Sequence, residues 1–130
     1  MDRVIIDTSA WIESFRPGGD QELKQMVKEL ILRNAVLLPG IIKSEVLRGA
    51  KSEGEFSMLK DLLSGLIYLP VEEDFGERVA RFSFELFRKG LSVPLIDTYI
   101  ALLAIEEDVP LLCRDKHFSW IADKTGLRLL

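Results

Sequence analysis

Asp7, Glu45, Asp97 and Asp115 are the side chains of this sequence best placed to do chemistry. Asp7 ends a short apolar run, Val4-Ile5-Ile6, and Asp115 lies two residues past another, Leu111-Leu112-Cys113. Both acids therefore project from the carboxyl edge of a sheet, where open α/β folds place their ligand crevices. Glu45 has Ile41, Ile42 and Gly49 as its helical neighbours, so it points from an otherwise apolar face. Asp97 stands near the start of a helix that leads back to the fourth strand, among bulky Leu95, Ile96, Ile100 and Leu103 and small Ala101 and Ala104. Each acid has a local reading. Asp7 and Asp115 suit helix N-caps, Glu45 suits a pair with Arg48, and Asp97 suits the dipole of its helix. Together they would repel one another at one edge, and no Lys or Arg is evidently placed among them. A buried bare charge is costly unless it is paired or holds a metal.

Hard dications such as Mg²⁺ and Mn²⁺ choose carboxylate oxygens and water, so an acid quartet suits them better than zinc or calcium. Such ions act on phosphate esters, and the reaction expected is phosphodiester hydrolysis. Thr8 or Ser9 is expected to hydrogen-bond a water or a phosphate. Arg48, Arg114 and Lys116 are expected to hold the polyanion from the rim.

The elements that must position these residues alternate. Val4 to Ile6 reads as a strand and Asp7-Thr8-Ser9 as the start of a helix that Pro17-Gly18-Gly19 stops. Asp20 can cap a second helix carrying Leu23, Met26, Val27, Leu30 and Ile31 at helical spacing. Strand two is expected at 36–38, followed by a helix bearing Glu45 and then another through Phe56, Leu59, Leu62 and Leu63. Strand three is expected at 66–69, a long helix at 73–89 ended by Gly90, and a further helix at 95–107. Strand four at 111–113, a short helix at 116–123 and a closing edge strand at 128–130 complete the series. Strands that alternate with helices and read as continuous apolar runs imply an α/β fold with a mostly parallel sheet buried on both faces.

The chain has 130 residues, 48% of them hydrophobic and 29% charged, which fits one domain with one core over residues 1–130. Disordered and low-complexity classes are excluded. Uncharged runs stop at about ten residues, half of the ~20 needed to cross a bilayer, so neither a membrane span nor a signal peptide is expected. Cys113 is the one cysteine, which rules out an internal disulfide and suits a cytoplasmic location. The formal charge of −4 means that nucleic acid would have to be gripped by a local basic patch.

Four segments of this chain, in order, resemble the PIN-domain family, and specifically its VapC-type ribonuclease toxins. They are Val4-Ile5-Ile6-Asp7-Thr8-Ser9-Ala10-Trp11, Ser44-Glu45-Val46-Leu47-Arg48-Gly49-Ala50, Asp97-Thr98-Tyr99-Ile100-Ala101 and Cys113-Arg114-Asp115-Lys116-His117-Phe118. The resemblance spans nearly the whole chain. It implies a three-layer fold with a sheet of about five strands, and a metal site made by Asp7, Glu45, Asp97 and Asp115. It also implies Mg²⁺- or Mn²⁺-dependent cleavage of single-stranded RNA, homodimerisation, and inhibition by an antitoxin protein that blocks the groove. Ser9 takes the hydroxyl position that the family expects. Cys113 stands where family members often carry Thr or Ser, and a thiol is a weak hydrogen-bond donor.

Other residues read as structure. His117, the single histidine, is expected at the surface or in a supporting role, because no positioned partner for a catalytic base is apparent. Trp11 and Trp120 are expected to pack, and Cys113 to lie inert in a buried strand. Phe75, Phe82, Phe84 and Phe87 exceed what one core face needs, so a subunit or antitoxin contact is a minority reading. Two competing functions are a degenerate binding module for RNA or protein without chemistry, and a receiver-like phosphoacceptor. The second ranks low because some of the acids come from helices.

Overall fold

The computed structural model describes residues 2–130. Strand β1 (Val4–Ile6) carries three consecutive apolar residues, two of them isoleucine, and all are buried, as a strand covered on both faces requires. It pairs in parallel with β2 (Val36–Pro39) on one side and with β4 (Leu111–Leu112) on the other. Strand β3 (Ile67–Leu69) extends the sheet beyond β2, giving the order β3-β2-β1-β4 with every pair parallel. Parallel neighbours need crossovers, and helices supply them.

The first crossover holds α1 (Thr8–Phe15) and α2 (Gln21–Leu32), and the second α3 (Gly40–Arg48) and α4 (Glu53–Ser64). After β3 come α5 (Phe75–Arg88) and α6 (Leu95–Glu107), and α7 (Lys116–Ala122) follows β4. Helix α1 packs on α2 and α3, and α3 on α4, while α6 packs on both α5 and α7. Helix α6 is buried at Thr98 and from Ile100 to Ala104, the pattern of a helix apolar on nearly all sides. Gly90, at φ 88°, ends the α5 segment in the left-handed region that glycine adopts without strain. Among the described residues, no helix is long and apolar enough to cross a membrane.

The α/β class and the parallel sheet agree with the sequence reading, but the sheet has four strands, not about five. The closing segment 128–130 makes only an isolated bridge, Leu111 to Leu129, fixed by Leu111 N–H on Arg128 O and Leu130 N–H on Leu111 O. The reason is the shortness of β4: two residues leave a single outward-facing N–H and C=O pair, at Leu111, for an edge strand to use. Cys113 falls past the end of β4, half-buried, and not within it.

Ile5 is fully buried in β1 between Leu37 and Leu111. Ile5→Ala is expected to cost about 2–5 kcal/mol, read as a lower urea midpoint at unchanged slope.

Candidate active site

Three strand ends and one helix start converge at the carboxyl edge of the sheet. Asp7 follows β1 directly, and its N–H donates to Leu112 O at 2.8 Å, which locks it against the end of β4. It caps α1: Oδ2 accepts from Ser9 N–H at 3.0 Å and from Ser9 Oγ at 2.6 Å. Ser9 Oγ in turn accepts from Arg114 N–H at 2.9 Å, tying the first turn of α1 to the loop after β4. Asp115, in that loop, caps α7 by accepting His117 N–H on Oδ1 at 2.9 Å. Glu45 reaches in from α3, and Thr8 Oγ1 donates to its Oε1 at 2.7 Å. Asp97 occupies the first turn of α6 with its side chain 15% exposed, and His117 Nδ1 lies 2.7 Å from its Oδ2. The same nitrogen lies 3.1 Å from Asp115 Oδ1.

The local readings of Asp7 and Asp115 as caps are therefore correct, and they coexist with the clustering. In each of the four carboxylates the side-chain and cap hydrogen bonds above fall on one oxygen only. The pair expected between Glu45 and Arg48 does not form, since Glu45 accepts from Thr8. Among the described residues, no Lys or Arg side chain pairs with any of the four acids.

Electrostatics follow from this placement. Burial pushes the Asp7 carboxyl above the usual carboxylate range, the Ser9 hydrogen bonds oppose the shift, and the nearby charge of Asp97 adds to it. Burial also raises Asp97; its hydrogen bond to His117 opposes the rise, while Asp115 and Glu45 reinforce it. Asp97 thus feels each of the other acids and is the electrostatic centre of the group. Burial, aided by the charges of Asp7 and Asp115, pushes the Cys113 thiol up to about 11, too high for a reactive thiolate.

The rim residues expected to grip a polyanion are exposed, as that role needs, but they differ in freedom. The Arg114 guanidinium is held by Cys113 O at 2.9 Å and Asp20 at 3.4 Å, and Lys116 Nζ sits 5.5 Å from the Trp120 ring centre. Arg48 closes α3 and is exposed. Thr8 and Ser9, expected to meet water or phosphate, direct their hydroxyl protons at Glu45 and Asp7. Of the two tryptophans expected to pack, Trp11 is fully buried and stacked on Phe15, and Trp120, 42% exposed, lies against His117 at 5.3 Å.

His117 is the residue that sequence reasoning undervalued. Its partner Asp97 lies 20 positions away on another helix, so no local pattern pairs them. The one available signal was its position two residues after a capping Asp, which directs its N–H at that carboxylate.

Residues 4–124 match the profile of the PIN domain family. The chain belongs to the PIN domain family. Ribonuclease VapC11 of Mycobacterium tuberculosis is 35% identical over 130 residues, covering 96% of each chain. In fold, this PIN domain is similar to the DNA-bound VapBC of Salmonella typhimurium, with TM-score 0.81 and 21% identity over 100% of this chain and 98% of that one. It is also similar to a toxin-antitoxin complex from Klebsiella pneumoniae, with TM-score 0.69 and 23% identity over 87% of each chain.

The donor set fits a dication. Three of the acids are half-buried and Asp7 is buried, no Lys or Arg among the described residues pairs with them, and an oxygen of Asp97, an oxygen of Asp115 and a nitrogen of His117 lie within 4.8 Å of one another. Because the metal-free fold holds Asp7 with a raised pKa, folding favours its protonated form. That stabilisation is complete below the unfolded value of about 3.9 and is lost as pH rises through the folded value. Asp7→Asn keeps a side-chain oxygen for the cap. In chelator, the variant is expected to melt higher than wild type at about pH 7 and no higher at about pH 3.5, read by calorimetry.

Proposed function

We propose that this PIN domain, acting as one unit over residues 1–130, is a metal-dependent endoribonuclease that hydrolyses phosphodiester bonds of single-stranded RNA. In this reading it is the toxin of a type II toxin–antitoxin pair. The observation that carries the reading is the convergence of Asp7, Glu45, Asp97 and Asp115 with no Lys or Arg among them. The 35% identity to Ribonuclease VapC11 over 96% of the chain supports the choice of RNA.

These four residues would hold Mg²⁺ or Mn²⁺. When bound, the ion polarises the phosphoryl oxygen and lowers the pKa of a water at the scissile bond. The protein's part is positioning. The Asp7 and Asp115 carboxylates are fixed by their caps, and Glu45 by Thr8, so the acids meet the ion without reorganising. Arg48, Arg114 and Lys116 offer exposed positive charge to the RNA backbone beside the acids. Phe84, Phe87 and Leu95, at 50%, 68% and 63% exposed, border one cleft and form an apolar face suited to a homodimer contact or to the antitoxin.

Asp7→Asn and Asp97→Asn are each expected to lower RNA cleavage in Mn²⁺ by at least about 100-fold while the fold persists, the scale for losing one preorganised electrostatic contact. Undiminished cutting by either variant, measured on labelled single-stranded RNA, would overturn the assignment. Saturating Mn²⁺ is expected to raise the melting temperature of wild type, since at 100 times Kd binding adds about 2.7 kcal/mol to the native state. A binding module without chemistry would hold RNA in chelator and never turn it over.

A further inference from the structure

We propose that His117 belongs to the metal centre itself, its Nδ1 coordinating the dication alongside Asp97 and Asp115. The inference rests on the reading of the acids as a metal site and adds a ligand that changes the ion preference of that site.

Three facts converge on that nitrogen. First, Nδ1 stands 2.7 Å from Asp97 Oδ2 and 3.1 Å from Asp115 Oδ1. Adjacent ligands of an octahedral ion with bonds of about 2.1 Å lie ~3.0 Å apart, so the two separations are within a few tenths of an ångström of two edges of such a shell. Second, one ring nitrogen faces oxygens from two different residues. Nδ1 is within hydrogen-bond distance of Asp97 Oδ2, and a dication would take the place of the proton there with both carboxylates as neighbours. Third, the residue is held at its backbone and at its ring: the His117 backbone N–H donates to Asp115 Oδ1, and Trp120 packs against the imidazole at 5.3 Å, with the side chain 28% exposed.

An imidazole ligand alters selectivity. Mg²⁺ seeks oxygen and keeps its waters, while Mn²⁺ and the later divalent ions accept nitrogen more readily. The site is therefore tuned towards Mn²⁺ over Mg²⁺, and His117 is the residue that tunes it.

The chain contains a single histidine, so any imidazole signal from a tag-free preparation belongs to His117. Pulsed electron paramagnetic resonance of the Mn²⁺-loaded full chain is expected to show ¹⁴N modulation from a directly bound imidazole, replaced by the ¹⁵N pattern in protein grown on ¹⁵N-histidine. His117→Gln is expected to abolish the modulation, weaken Mn²⁺ binding about 10–100-fold and change Mg²⁺ binding less. The isotope arm stands even if that variant does not fold. Bound Mn²⁺ without nitrogen modulation in wild type overturns the role of His117 and leaves the acid site intact. Wild type that binds no Mn²⁺, or whose Mn²⁺ affinity is unchanged by Asp97→Asn, overturns the metal reading on which it stands.

Discussion

Carboxylates held together without a Lys or Arg among them are the constraint on which the rest of this molecule turns. Asp97 feels the charges of Asp115 and Glu45, and Asp7 feels that of Asp97, in a setting where burial already disfavours ionisation. A fold selected for stability alone has no use for such a group, because burying unpaired charge costs free energy. The β1–β4 pair and the start of α6 nevertheless bring these residues to one place. Tolerated strain of this kind is what active sites show when a ligand supplies the missing charge.

The main chain, more than the side chains, fixes the arrangement. Asp7 is pinned by its own N–H on Leu112, and Arg114 N–H on Ser9 Oγ links the loop after β4 to the first turn of α1. Asp7 and Asp115 then do two jobs: each caps a helix, and each stands among the other acids at the edge of the sheet. Capping restricts each carboxylate to a single orientation, which is why short Asp side chains serve here and why Glu45, on a longer stem, needs Thr8 to steady it. Structural and chemical roles for these acids are therefore not alternatives.

This double use explains what was legible in the sequence. The apolar runs at Val4, Val36 and Leu111 and the helical spacing between them specify a parallel α/β sheet, because burial on both faces leaves a periodic mark in the chain. The acids were legible for the converse reason: Glu45 interrupts an apolar face and Asp97 opens a buried helix. What escaped was anything decided by contact between distant segments. His117 meets Asp97 across two helices, and Trp120 is half-exposed because it braces that imidazole. The fifth strand failed for a related reason, since the length of β4 is set by where Asp7 and the following loop take over the hydrogen bonds of the sheet edge.

The net acidity of the protein equals the number of acids in this cluster. Of 21 acidic residues facing 17 basic ones, four are the converging carboxylates; set them aside and the remaining charges balance. A polyanion approaching the metal-free protein at the carboxyl edge of the sheet would meet these four carboxylates, which opposes association. A dication in the cluster would offset half of those four formal charges, and Arg48, Arg114 and Lys116 are exposed to meet the polyanion. For a nucleic-acid substrate the ion would then act twice, once on the reacting phosphate and once on the encounter, so that binding of substrate and of metal are thermodynamically linked. The formal charge of −4, which taken as an average argues against a nucleic-acid partner, therefore does not decide against one whose binding is linked to the ion.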